Sequence, residues 1–192
     1  IIFYDTESDL VMDSSDSRVT NHYFKMVSAC FVQLNGDGNV YREQWMISED
    51  LNEFHNFILN HSFSKSRLYV MAHNQNYDMI VAKIFPFMEK NDFKISKMIM
   101  DSGKVIITFK RGSKTIVFID SINWFKSPLA ELGKAINLPK LEMPSSDDSF
   151  EKWEEYNKRD VLILKEYFLK YLRWIKLNDM GNFGFTIASQ SF

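Results

Sequence analysis

The sequence predicts a single α/β domain, on three observations. Short apolar runs bounded by turn residues recur through the first 120 positions, the pattern of buried strands. The stretch 150–177 instead repeats apolar residues close to the 3.6-residue helical period. The 192 residues suit one domain, and 7 Gly and 4 Pro leave little material for a linker.

The elements follow in order. Ile1–Tyr4 is a continuous apolar run, hence a buried strand. A strand pattern that opens at the first residue is expected of a chain cut from something longer. Residues 8–22, polar and rich in Ser and Asp, predict a loop. Phe24–Leu34 and Val40–Ile47 face each other across Asn35-Gly36-Asp37-Gly38, a hairpin turn. Asp50 and Glu53 form a capping-box pattern for a helix Leu51–Asn60, with Phe54, Phe57 and Ile58 on one face. Leu68–Ala72 is another buried strand, and a helix should run from about Asp78 towards Lys90, with Pro86 near its last turns. Phe93–Met100, Lys104–Lys110 and Thr115–Asp120 read as a meander, turned at Asp101-Ser102-Gly103 and Arg111-Gly112-Ser113. Pro128 suits the first turn of a helix carrying Leu129, Leu132 and Ile136. The last helix, about Phe150–Leu177, has Val161, Leu164, Phe168, Tyr171 and Ile175 on its apolar face. Trp153 and Trp174 are expected in the core, and Lys165, Lys170, Arg173 and Lys176 on a solvated face.

Composition excludes several classes. A lone Cys30, inside an apolar run, leaves no disulfide framework or cysteine-rich zinc site and agrees with a reducing intracellular compartment. No stretch approaches the roughly 20 apolar residues of a membrane helix. His22, His55 and His61 lack zinc spacing. Net charge is −2, with no basic tail or stripe to announce nucleic acid. That balance is still compatible with a site for divalent metals, which must itself concentrate negative charge.

Acidic residues stand where acids are costly unless used. Asp5 and Glu7 follow the first strand at alternate positions, so they share a face. Asp78 lies where strand and loop pass into a helix, and Asp160 directly precedes the apolar Val161–Leu164. Tyr156 is one helical turn before Asp160. Each motif alone has an ordinary reading: a common Asp-x-Glu pair, a helix N-cap, a packed tyrosine. Four carboxylates from three segments suit a pair of hard divalent cations, which take oxygen ligands.

Phe3-Tyr4-Asp5-Thr6-Glu7, Asn74-Gln75-Asn76-Tyr77-Asp78 and Tyr156-Asn157-Lys158-Arg159-Asp160 occur in the order of three exonuclease motifs. Through them the chain resembles the 3′–5′ proofreading exonuclease domain of family B DNA polymerases, tyrosine subclass, in the protein-primed, viral and plasmid branch. Asp120-Ser121-Ile122 and Pro128–Lys134 look like that branch's segment between the second and third motifs, with Ile122 in place of Leu. The resemblance implies a ribonuclease-H-like fold, a mixed sheet flanked by helices, over residues 1–180. Residues 181–192 would begin the connection to a polymerase domain. It also implies two divalent cations, Mg²⁺ or Mn²⁺, held by Asp5, Glu7, Asp78 and Asp160, with Tyr156 orienting the attacking water. Ser8, His73, Asn74, Tyr77, Ser121 and Ile122 would hold a single-stranded DNA 3′ end. Tyr77 has two readings, a stacking platform for a base and a core aromatic that opens its helix. The family places a DNA-binding lysine before the third motif; Lys140 is the nearest candidate and is not assigned. The implied protein is a monomer working in a bacterial or virus-infected cell, or in an organelle. Two rivals remain: a stand-alone nuclease acting on RNA or oligonucleotides, and a silent nucleic-acid-binding domain.

Overall fold

A computed structural model describes residues 1–12, 20–36, 38–101 and 103–190. Seven strands form one sheet: β1 (Ile2–Met12), β2 (Thr20–Leu34), β3 (Val40–Ser48), β4 (Arg67–Ala72), β5 (Lys94–Asp101), β6 (Lys104–Arg111) and β7 (Lys114–Asp120). Their order is β3-β2-β1-β4-β7-β6-β5. The β1–β4 and β4–β7 pairs are parallel and the others antiparallel. The helices are α1 (Leu51–Asn60), α2 (Gln75–Val81), α3 (Ile84–Lys90), α4 (Leu129–Ala135), α5 (Phe150–Leu177) and α6 (Ile187–Gln190). The mixed sheet flanked by helices is thus the class expected.

Strand alternation divides the core between two faces. Ile2 and Tyr4 of β1 join Phe54, Ile58, Met79, Ile84 and Phe118 beneath α1–α3. Phe3 joins Met71, Ile119, Val161, Leu164 and Phe168 beneath α4 and α5. Full burial of one such side chain stabilises by roughly 1.5–3 kcal/mol, so these two layers anchor the end of β1 from both sides.

Three local expectations are corrected. The predicted loop 8–22 is strand at both ends, because Ser8–Met12 pairs with Thr20–Phe24. Residues 13–19 of it, and Asp37 and Ser102 of the turns, lie outside the described residues. The helix expected towards Lys90 is two helices broken at Lys83, whose φ is 50°. In a continuous helix the Pro86 ring would collide with the Ala82 carbonyl and lack a donor. Starting α3 at Ile84 puts Pro86 in the first turn, where that N–H has no partner to lose. On α5, Lys165 is buried against Glu43, with both Nζ–Oε distances 2.9 Å, rather than solvated, while Trp174 is 48% exposed. Asp50 caps α1 as expected, accepting from Asn52 N at 2.8 Å; its own N–H donates to Ser48 Oγ rather than to Glu53. Cys30 is free and buried. Among the described residues, no helix is long and apolar enough to cross a membrane.

Candidate active site

The parallel strands β4 and β7 end side by side at Ala72 and Asp120, beside β1, which runs on through Asp5 and Glu7 to Met12, and the candidate residues gather there. Asp5 and Glu7 share the face of Phe3, turned to α5, while Thr6 shares the face of Tyr4, turned to α2. Asp160 reaches the first pair from α5. One carboxylate oxygen from each of Asp5, Glu7 and Asp160 lies within 4.8 Å of the others. Asp78, 2% exposed, comes from α2 on the other face and stands outside that trio. Its Oδ1 accepts from the Thr6 backbone N–H at 2.9 Å and from Thr6 Oγ1 at 2.7 Å.

Burial and mutual repulsion shape the protonation of the four acids. Burial, then the charges of Asp78, Asp160 and Glu7, pushes the Asp5 carboxyl well above the usual range. Glu7 rises to about 7, chiefly through burial and Asp160. Asp78 also rises to about 7, because burial outweighs the Thr6 hydrogen bonds. Burial raises Asp160 too, against the opposing pull of the Lys140 ammonium, which donates to its Oδ2. Asp160 Oδ1 is buried without a hydrogen-bond partner. An orphaned carboxylate oxygen facing two more acids is a poor arrangement for a metal-free protein and a fitting one for a hard cation.

Tyr156, on the same helix, packs against Met26 and Trp153. Lys140 Nζ lies 4.7 Å from its ring centroid. Lys140 is therefore in the site, although sequence spacing alone could not assign it. It sits in the segment after α4, which turns sharply where Leu138 N–H donates to Gly133 O at 2.9 Å. A Cβ on Gly133 would stand 2.5 Å from Leu138 O, so only glycine permits this close return.

The expected substrate residues form two groups. Ser8 Oγ is 2.6 Å from Tyr77 OH and 3.0 Å from His22 Nδ1. Tyr77 is half-buried, with its ring edge-on to His22. Across the strand ends, His73 Nδ1 is 2.7 Å from the buried Ser121 Oγ. Burial lowers the His73 pKa, with Asp120 acting the opposite way. Exposed Asn74 occupies a left-handed conformation (φ 92°) before α2, and Ile122 is half-buried.

Sequence reasoning missed several supports. Asn157 Nδ2 donates to Asp5 Oδ2 at 2.6 Å and to Glu7 Oε1 at 3.5 Å. Its place three residues before Asp160 on a helix was the available signal. Asp120 accepts from the backbone N–H groups of Asn74, Gln75 and Ile122 at 3.2, 2.9 and 2.9 Å, tying the second motif to β7. Gln75 Nε2 in turn donates to Tyr4 OH at 2.5 Å. No periodicity marks the links of Asp120 to Asn74 and Gln75 or of Gln75 to Tyr4, since they join residues remote in sequence.

No family model matches this sequence, and no curated protein does. Among solved structures the fold is similar to Phi29 DNA polymerase. The match is to its post-translocation binary complex with primer-template DNA at TM-score 0.62 and 17% identity. Its ternary complex with primer-template DNA and incoming nucleotide substrates gives 0.60 and 16%, and its complex with single-stranded DNA 0.56 and 16%. Each alignment covers 98% of this chain and 33% of the polymerase chain. Likeness at this identity is a likeness of fold, and this chain spans about a third of the polymerase's length.

Proposed function

We propose that the chain is a metal-dependent 3′–5′ exonuclease domain that hydrolyses single-stranded DNA ends to 5′-mononucleotides, the proofreading domain of a family B DNA polymerase. The observation that carries this reading is the trio Asp5, Glu7 and Asp160 with the orphaned Asp160 oxygen. The fold's likeness to a DNA polymerase, seen there in complexes with single-stranded and primer-template DNA, supports it. Residues 1–180 would be the nuclease and 181–192 the start of a connection to a polymerase domain; 191 and 192 lie outside the described residues.

Asp5, Glu7 and Asp160 would hold one divalent cation, Mg²⁺ or Mn²⁺, and Asp78 with Asp5 would serve a second. Such ions supply Lewis-acid activation of water and neutralise charge on the phosphodiester. The protein's own groups do the positioning. Asn157 fixes the rotamer of Asp5 through a 2.6 Å hydrogen bond. The Tyr156 hydroxyl orients the attacking water, and Lys140, beside Tyr156 and Asp160, balances negative charge that builds on the scissile phosphate. Ser8, Asn74 and Tyr77 on one side, and His73, Ser121 and Ile122 on the other, bind the 3′ terminus between them.

A 5′-labelled oligonucleotide incubated with the protein and Mg²⁺ should give a descending ladder on a gel, abolished by chelator. Activity that survives excess EDTA would refute the metal-dependent reading. Tyr156→Phe keeps the packing against Met26 and Trp153, so its Mg²⁺ titration should show the same midpoint with a lower plateau. A shifted midpoint with a normal plateau would contradict the assigned role.

A further inference from the structure

Residues 90–114 carry seven basic side chains and two acidic ones, so the expected absence of a basic stripe, which follows from a net charge of −2, does not hold here. They form the β5–β6 hairpin and its flanks, at the edge of the sheet. Read by simple alternation, Lys94 and Lys97 would point to opposite faces. A bulge between Ile95 and Lys97 changes that: Lys94 pairs with Lys110, Lys97 with Thr108, and Asp101 with Lys104. Directly paired residues share a face, so Lys94, Lys97, Lys104 and Lys110 all project on one side with Asp101 as the single acid. It is the α5 side, because Ile99 and Ile106 of the same rows join the core beneath that helix. The four lysines are exposed, and among the described residues Lys94, Lys97 and Lys110 have no carboxylate partner.

Lysines on an edge strand can simply block sheet-to-sheet pairing. That explains neither Lys104 nor Lys110, which sit on β6, an inner strand. Nor does it explain Lys94 directly opposite Lys110, a like-charge pair that destabilises a sheet unless an anion lies across it. The array has a direction as well. Ile106 pairs with Ile119, so the Lys104 end of the hairpin lies at the end of the sheet that holds Asp120 and Ser121. From Lys94 to Asp101 the strand runs about 23 Å, at roughly 3.3 Å per residue.

We propose that this face of the β5–β6 hairpin binds the phosphate backbone of a single-stranded nucleic acid leading away from the candidate active site. The proposal rests on the nuclease reading only for which strand lies there. Lys94, Lys110 and Lys97 fill two adjacent rows at one end of this face and Lys104 stands at the other. The backbone would be met mainly by the first three, while the 3′ end is held at Ser121 and Tyr77.

The test is fluorescence anisotropy with an oligothymidylate of about 20 nucleotides in EDTA, from about 50 to about 200 mM NaCl. Lys94→Glu/Lys97→Glu/Lys110→Glu should weaken binding about tenfold or more at the low-salt end. It should also flatten the log–log salt dependence by about 2, at about 0.7 per phosphate contact on a single strand. Charged replacements keep the edge protected. Lys94→Glu alone should raise the melting temperature, by turning a repulsive pair into an attractive one, while lowering affinity; a merely structural lysine would not do both. Arg42→Glu/Lys170→Glu/Arg173→Glu, on β3 and α5 and with the same change in net charge, is the control and should bind as the parent does. An unchanged salt slope in the triple variant, or a loss no greater than the control's, overturns the proposal. So does a triple variant that loses heparin binding but keeps the oligonucleotide, which would assign the face to another polyanion. Hydrolysis is read separately. The triple variant should degrade a trinucleotide like the parent and show a raised KM only on the long substrate. A parent without hydrolysis would end the nuclease reading and leave the binding result standing.

Discussion

Two buried aspartates serve the same site in opposite ways. Asp78 is met from the protein itself: Thr6 offers it a backbone and a hydroxyl donor, and the pair closes the gap between α2 and β1. Asp160 is met by Lys140 on one oxygen and by nothing on the other. Both stand near other acids, yet the two donors to Asp78 converge on one oxygen and are uncharged, whereas Asp160 has a single ammonium donor on Oδ2 and none on Oδ1. One half is therefore satisfied by folding, while the other keeps a buried oxygen that a bound cation would satisfy. That asymmetry lets the two halves be separated by experiment.

The largest effect should come from the Asp160 half. Asp160→Asn should reduce hydrolysis to the level of a metal-free incubation and abolish the heat of Mg²⁺ binding in calorimetry. Without metal, the same variant should melt at or above the parent, since one repulsive charge is gone. A large drop in its metal-free melting temperature would instead make Asp160 structural.

Lys140→Met comes next. Removing the ammonium leaves Asp160 without its counter-charge, so the metal-free protein should melt lower at pH 8. Mg²⁺ should recover most of the difference, because a cation can replace the lost partner. Equal losses with and without Mg²⁺ would mean that Lys140 does not act through Asp160.

On the Asp78 half, Thr6→Val removes one donor and keeps the shape. Hydrogen bonds to charged groups contribute about 1.5–3 kcal/mol, and denaturant unfolding should show a loss in that range whether Mg²⁺ is present or not. A loss that Mg²⁺ reverses would erase the contrast between the two halves.

The smallest and broadest effect is on pH. Carboxyls in an unfolded chain titrate near about 4, while folded Glu7 and Asp78 are raised to about 7 and Asp5 and Asp160 are raised as well. Between those values the folded state holds protons that the unfolded state has released. Stability of the metal-free protein must therefore fall as pH rises from about 4 to about 7. Melting curves should show this slope without metal, and Mg²⁺ should flatten it, most clearly above pH 7.

Much of this was legible in the residues. The apolar runs specify the start of β1 and nearly all of β4, the 3.6-residue spacing specifies Phe150–Leu177, and alternation along β1 places Asp5 and Glu7 together. These are local consequences of backbone geometry, so one sequence suffices to read them. The break at Lys83 was legible in principle, since Pro86 forbids a continuous helix four residues after Ala82.

Other features depend on pairing between distant segments. Asp78 belongs to Thr6 because α2 packs on the face of the sheet opposite α5, a choice that no residue near Asp78 encodes. Lys140 meets Asp160 because the chain doubles back at Gly133, and Asn157 meets Asp5 across more than 150 residues of sequence. Lys94 and Lys97 share a face only because the register with β6 slips by one residue at a bulge. Sequence by itself determined which side chains could form elements and carry chemistry. Tertiary structure decided which of them touch, because register, bulges and the choice of sheet face are settled by packing partners far along the chain.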